Sequence, residues 1–115
     1  MDERLVKALE FSNFLETQNN QKRIFLAQYN QDLIYYTNGH KITVTPHLIS
    51  FCQSLTALNQ LDAWLIDDNS IPFNVSNIHE FTKEILEVYN TASMNYGKSY
   101  ETIKNNRSVS GLIDL

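Results

Sequence analysis

Three histidines, one cysteine and a pair of adjacent aspartates are the side chains of this chain best suited to chemistry. His40, His47 and His79 have the donor atoms of a general base or a metal ligand. None, however, has a second ligand at a spacing such as His-x-x-x-His, which places two imidazoles on one helical face. His40 follows a turn signal, His47 falls in a first helical turn, and His79 stands beside Glu80 at a helix start. Each reads as a surface or capping residue. Cys52 has no Cys-x-x-Cys partner and lies on an apolar helical face, where a thiol fills core space rather than acting as a nucleophile. Asp67-Asp68-Asn69 gathers two carboxylates and an amide, the oxygen chemistry of a hard cation. The segment lacks the alternating ligands and central glycine of a calcium loop, so it reads as a solvated hairpin turn. The only glycines are Gly39, Gly97 and Gly111, too few and too scattered for a phosphate-binding loop. No Ser-His-Asp order comes with a nucleophile elbow. The residues therefore predict a protein that is not an enzyme, with no cofactor, metal or small-molecule substrate.

Bulk properties narrow the class. With 115 residues there is room for one domain, expected to comprise a helical arm over 1–30 and an α+β core over 31–115. Hydrophobic residues make up 43%, the share of a globular chain. The net charge is −4, and Lys22-Arg23 and the pair Lys104 and Arg107 are the nearest approach to basic clusters. Nucleic-acid binding, which needs a basic face, is not expected. A lone cysteine offers no internal disulfide. Met1-Asp2-Glu3-Arg4 lacks the charged and apolar regions of a signal peptide, and no apolar run approaches the ~20 residues that span a bilayer. A cytoplasmic, non-membrane protein is the expectation.

The elements that position these residues read as α+β. A first helix runs from about residue 2 to 28, uninterrupted by Pro or Gly, with apolar positions at Leu5, Ala8, Leu9, Ser12, Leu15, Leu26, Tyr29 and Leu33. Residues 17–22 offer no apolar anchor. Either the helix continues there, with Asn19 in a coiled-coil seam, or the chain bends back as a helical hairpin; continuity is favoured. Residues 33–37 and 40–45 flank Asn38-Gly39, a tight-turn signal, and form a β-hairpin. Thr45 and Pro46 make an N-cap and first position for a middle helix whose stripe is Leu48, Phe51, Cys52, Leu55 and Leu58. A second hairpin joins residues 63–66 to 71–75, with Pro72 at an edge or bulge. Ser76-Asn77 caps a long last helix to about Asn105, striped by Ile78, Phe81, Ile85, Val88, Ala92, Tyr96, Ser99 or Tyr100, and Ile103. That helix is too long for two small hairpins to cover, so its far end must pack on the first helix or on another subunit. A short terminal helix is expected from Ser108.

Three sets of residues suit contact with other chains. Leu5, Leu9, Leu15 and Leu26 line the first helix, where a homo-oligomer seam is expected. Tyr89, Tyr96 and Tyr100 share a face beside the last helix's aliphatic stripe, and tyrosine favours interfaces. They either serve an oligomer or pack within the chain against Trp64, Phe73 and the first helix. Leu112, Ile113 and Leu115, with Asp114, form an apolar acidic tail that either folds back over the core or docks in a partner's groove. Such a tail resembles the peptides by which phage transcription and replication factors bind a sliding clamp.

Several segments together resemble small uncharacterised proteins of marine T-even-like (cyanophage-type) myophages. They are Ala8-Leu9-Glu10-Phe11-Ser12-Asn13, Asn20-Gln21-Lys22, Ile49-Ser50-Phe51, the run from Ile66 to Pro72, and Tyr96, Tyr100, Ile103-Lys104 and Arg107-Ser108-Val109. From about His40 onward the order of elements also resembles a domain of unknown function in phage tail-fibre and tail-fibre-assembly proteins. That domain has a helix, a Trp-containing hairpin with an Asp-Asn turn, a long helix and a short terminal one. No fibre-tip or β-helical segment is present, so a receptor-binding role is not implied. The resemblance implies a phage-encoded structural or assembly protein, located in the virion or the host cytoplasm and acting through protein partners. A regulatory adaptor that docks its tail on a sliding clamp or polymerase is the alternative.

Overall fold

The computed structural model describes the backbone of residues 2–114 and the side chains of residues 2–105. The fold is α+β, in the order α1 (Glu3–Asp32), β1 (Ile34–Thr37), β2 (His40–Thr43), α2 (Pro46–Ala57), β3 (Ala63–Ile66), β4 (Pro72–Val75) and α3 (Ile78–Asp114). The chain divides into two compact units: Asn30–Ser93, and the residues up to Tyr29 together with those from Met94 onward.

In the α+β unit, Asn38 and Gly39 both adopt positive φ (49° and 81°), the conformation that two-residue hairpin turns require. β1 and β2 pair antiparallel from Thr37↔His40 to Ile34↔Thr43. β2 ends two residues earlier than expected, although the Val44 amide still donates to the Leu33 carbonyl at 2.8 Å. Thr45 caps α2 as its sequence predicts, its hydroxyl accepting from the Leu48 amide at 3.1 Å, with Pro46 in the first turn. α2 closes on Asn59, whose φ of 59° lets the Asn59 and Gln60 amides satisfy the Thr56 and Leu55 carbonyls.

The face that α2 buries is rotated from the expected one. Ile49 and Cys52 are buried, whereas Phe51 and Leu58 are 46% and 76% exposed. Apolar residues surround much of this helix, so spacing leaves its inward face open. β3 and β4 pair from Ala63↔Val75 to Ile66↔Pro72, which puts Pro72 at a strand end, where its missing N–H costs nothing. The core joins Ile42, Val44, Ile49, Cys52, Leu65, Phe73, Phe81 and Ile85, with Tyr89 packed against it. Burial pushes the Cys52 thiol's pKa up, in keeping with an inert core position.

Asn77 begins α3, its side-chain oxygen accepting from the Glu80 amide at 3.2 Å. The stripe read from the sequence is the one that is buried: Ile78, Phe81, Ile85, Ala92 and Ile103 are all nearly inaccessible. No separate terminal helix follows. α3 continues as one helix through Asp114, because no proline interrupts residues 105–114 and a single Gly111 costs only about 1 kcal/mol.

In the helical unit, α1 is continuous through residues 17–22, and within that polar stretch only Gln18 is buried. Gln18, not Asn19, is the buried polar residue; Asn19 is exposed. The Gln18 amide nitrogen donates to the Ile103 carbonyl at 3.1 Å, so a buried polar group is satisfied against α3. Tyr29 packs on Tyr96 with ring centroids 5.0 Å apart, Tyr96 stacks on Tyr100, and the Lys22 ammonium lies 5.6 Å from the Tyr100 ring centre. These pairs match descending positions of α1 with ascending positions of α3, an antiparallel helix pair.

Ile85 is fully buried at the centre of the α+β core. Ile85→Ala should cost about 2–5 kcal/mol of unfolding free energy, measured by denaturant titration.

Candidate functional site

The turn that joins β3 to β4 organises the most distinctive surface of the α+β unit. The side chain of Asp67 is only 2% exposed. One carboxylate oxygen accepts from the Asn69 and Ile71 amides, both at 2.9 Å, and the other meets His40 Nδ1 at 2.7 Å. The His40 ring is in turn stacked on Phe73, with centroids 4.5 Å apart and 18° between the planes. His40 and Asp67 are thus partners within the fold, not the surface histidine and solvated turn aspartate expected from sequence. They stand 27 residues apart, beyond what local spacing reveals. These hydrogen bonds, His40's first, hold the Asp67 carboxyl below the usual carboxylate range.

Asp68 is also structural. Its amide donates to the Lys41 carbonyl at 2.9 Å, and its two carboxylate oxygens accept from the Thr43 amide at 3.0 Å and the Thr43 hydroxyl at 2.6 Å. In the β1–β2 register, Lys41 and Thr43 turn these groups away from β1, so Asp68 caps the open edge of β2. The carboxylates are engaged with the fold, and the described residues contain no cluster of three His, Cys, Asp or Glu side chains suited to a metal ion.

With the turn held in this way, β3 presents alternate residues to opposite faces. Ala63 and Leu65 point into the core. Trp64 and Ile66 point outward and are 69% and 71% exposed. Across the ladder Trp64 faces Asn74 and Ile66 faces Pro72, and Ile71, next to Pro72, is 51% exposed. A two-stranded ribbon whose outer face carries Trp, Ile and Pro is an apolar surface of the kind that binds other proteins. Sequence alone did not single this face out; Trp64 figured there only as one of the possible packing partners of the α3 tyrosines. All four β3 residues, Ala-Trp-Leu-Ile, are apolar, so no polar alternation marks the wet side.

A concavity of about 190 Å³ lies between the first hairpin's turn and the start of α3, lined by residues that include Asn38, Asn77, Glu80 and Glu84. Beside it the Tyr35 hydroxyl donates to the Glu84 carboxylate, and that hydrogen bond, then burial and the charge of Glu84, push the phenol's pKa up to about 12. His47 is exposed. His79 is half-buried, and its Nε2 makes no hydrogen bond among the described residues.

Leu5, Leu9 and Leu26, the residues expected to form a seam, are 50%, 48% and 46% exposed, whereas Leu15 is half-buried. The inward face of α1 instead carries Phe14, Gln18, Phe25 and Tyr29. Tyr89 packs in the α+β unit, Tyr96 is half-buried in the helical unit, and Tyr100 remains 43% exposed. Leu112, Ile113 and Leu115 lie outside the described side chains, and so does the choice between a folded-back and a docked tail. No described helix is long and apolar enough to cross a membrane. Comparison of the chain with protein-family models, curated proteins and solved structures finds no match.

The depressed pKa of Asp67 gives a signed prediction. A carboxylate favoured by folding adds stability above its unfolded pKa and loses it as pH falls through the folded value. Stability of the wild-type chain should therefore decline as pH drops below the usual aspartate range. Asp67→Asn should be less stable at neutral pH and show a flatter decline over that acid window, as followed by thermal unfolding at a series of pH values.

Proposed function

We propose that this chain is a non-enzymatic interaction protein that engages another protein through the outer face of the β3–β4 hairpin. The observation that carries the reading is the 69% exposure of Trp64 on a strand whose alternate residues are fully committed to the core. A Trp side chain offers about 150–250 Å² of contact surface, and Trp is enriched among the residues that dominate binding energy at protein interfaces. Ile66 and Pro72 extend the same apolar surface, with Asn74 opposite Trp64 as its polar residue on β4.

The hairpin is rigidly held, which favours binding. The Asp67 and Asp68 hydrogen bonds fix the ribbon before any partner arrives, so little ordering entropy is lost on docking. A photo-activatable cross-linker at position 64, in cells that naturally produce the protein, should yield a discrete adduct; the same group at the exposed position Lys83 should not. Absence of an adduct at position 64 would remove this reading.

The narrower role of a phage virion or assembly component is supported by the resemblance of the segments around residues 8–13, 66–72 and 96–109 to myophage proteins. Mass spectrometry of purified virions should detect the chain if it is a structural component. A chain found only in the infected-cell lysate would be an assembly factor instead.

A further inference from the structure

We propose that the partner of the Trp64–Ile66 face is a basic, apolar protein segment, and not a second copy of this chain. The proposal rests on the interaction reading above and adds to it the chemistry of the occupant.

Charge is distributed unevenly between the two units. Residues 30–93 hold seven Asp and Glu against Lys41 and Lys83, a net charge of −5, whereas the remaining residues carry a net charge of +1. The apolar face therefore belongs to the acidic unit. Next to the face itself, Asp62 precedes β3 and lies two positions from Trp64, whereas the Asp68 carboxylate is committed to Thr43 at the edge of β2. Asp62 is exposed.

These features define the occupant. Two copies of the hairpin placed face to face would bring two units of charge −5 together and set Asp62 against its equivalent. An acidic partner meets the same penalty. A segment with one apolar side and flanking Lys or Arg covers Trp64 and Ile66 while a cation meets Asp62. Rim charges of this kind govern approach rate and partner choice more than final affinity.

Trp64 is the chain's only tryptophan, so its fluorescence reports occupancy of this face alone. The test titrates the intact protein with an amphipathic helical peptide of Leu and Lys, with its counterpart bearing Glu for every Lys, and with increasing concentrations of the protein itself. The Leu/Lys peptide should give a saturable blue shift with one peptide bound per chain, and the signal should weaken with added salt. Ile66→Ser should abolish the shift. Asp62→Asn, which touches none of the hydrogen bonds in the β3–β4 turn, should weaken binding about two- to five-fold, the scale of one exposed charge pair.

An equal response to the Leu/Glu peptide would overturn the basic partner but leave the interaction surface standing. A blue shift of the protein alone as its concentration rises, lost in Ile66→Ser, would do the same and assign the face to self-association. No response to the Leu/Lys peptide would also overturn the proposal. In that case the cross-link at position 64 decides separately whether the surface binds protein at all.

Discussion

The Asp67 carboxylate is the interaction on which the α+β unit most depends. A carboxylate with a 2% exposed side chain is tolerable only if its lone pairs are filled, and here two amides and one imidazole fill them. Those bonds set the path of the β3–β4 turn. The path brings Asp68 to the open edge of β2, where it satisfies an amide, a carbonyl and a hydroxyl that would otherwise face water. An isolated two-stranded hairpin is marginal in water. Joined through this turn and backed by Ile42, Leu65, Phe73 and Ile85, the two hairpins share one core with α2 and the first part of α3.

The same constraint produces the surface assigned to function. Once the turn is held and Ala63 and Leu65 are packed inward, the pleat leaves Trp64 and Ile66 no choice but the outer face. The exposed apolar face is therefore a consequence of how the core is closed. Its setting is electrostatic as well as apolar. The unit that carries the exposed tryptophan has a net charge of −5.

The helical unit works by a different device. Residues 17–22 lack aliphatic side chains, yet α1 passes through them unbroken because α3 supplies polar and aromatic partners at matching heights. Gln18 meets a backbone carbonyl, Lys22 lies over Tyr100, and Tyr29 packs on Tyr96. Such contacts give register more than raw stability, since a shifted pairing would strand the buried amide.

Local chemistry determined much of this protein from sequence alone. Asn38-Gly39 demands a tight turn, Thr45-Pro46 starts a helix, and the three-four spacing from Ile78 to Ile103 marks one helical face without knowledge of what covers it. The tertiary structure decided what no local rule reaches. Spacing along α2 could not say which side is covered, because apolar residues surround much of that helix, and so Phe51 and Leu58 proved exposed. The His40–Asp67 pair spans 27 residues and the Gln18–Ile103 bond 85, distances over which only chain folding brings partners together. Trp64 is the sharpest case. Four apolar residues in a row carry no sign of inside or outside, and it was the anchoring of one buried aspartate that turned the tryptophan to the solvent.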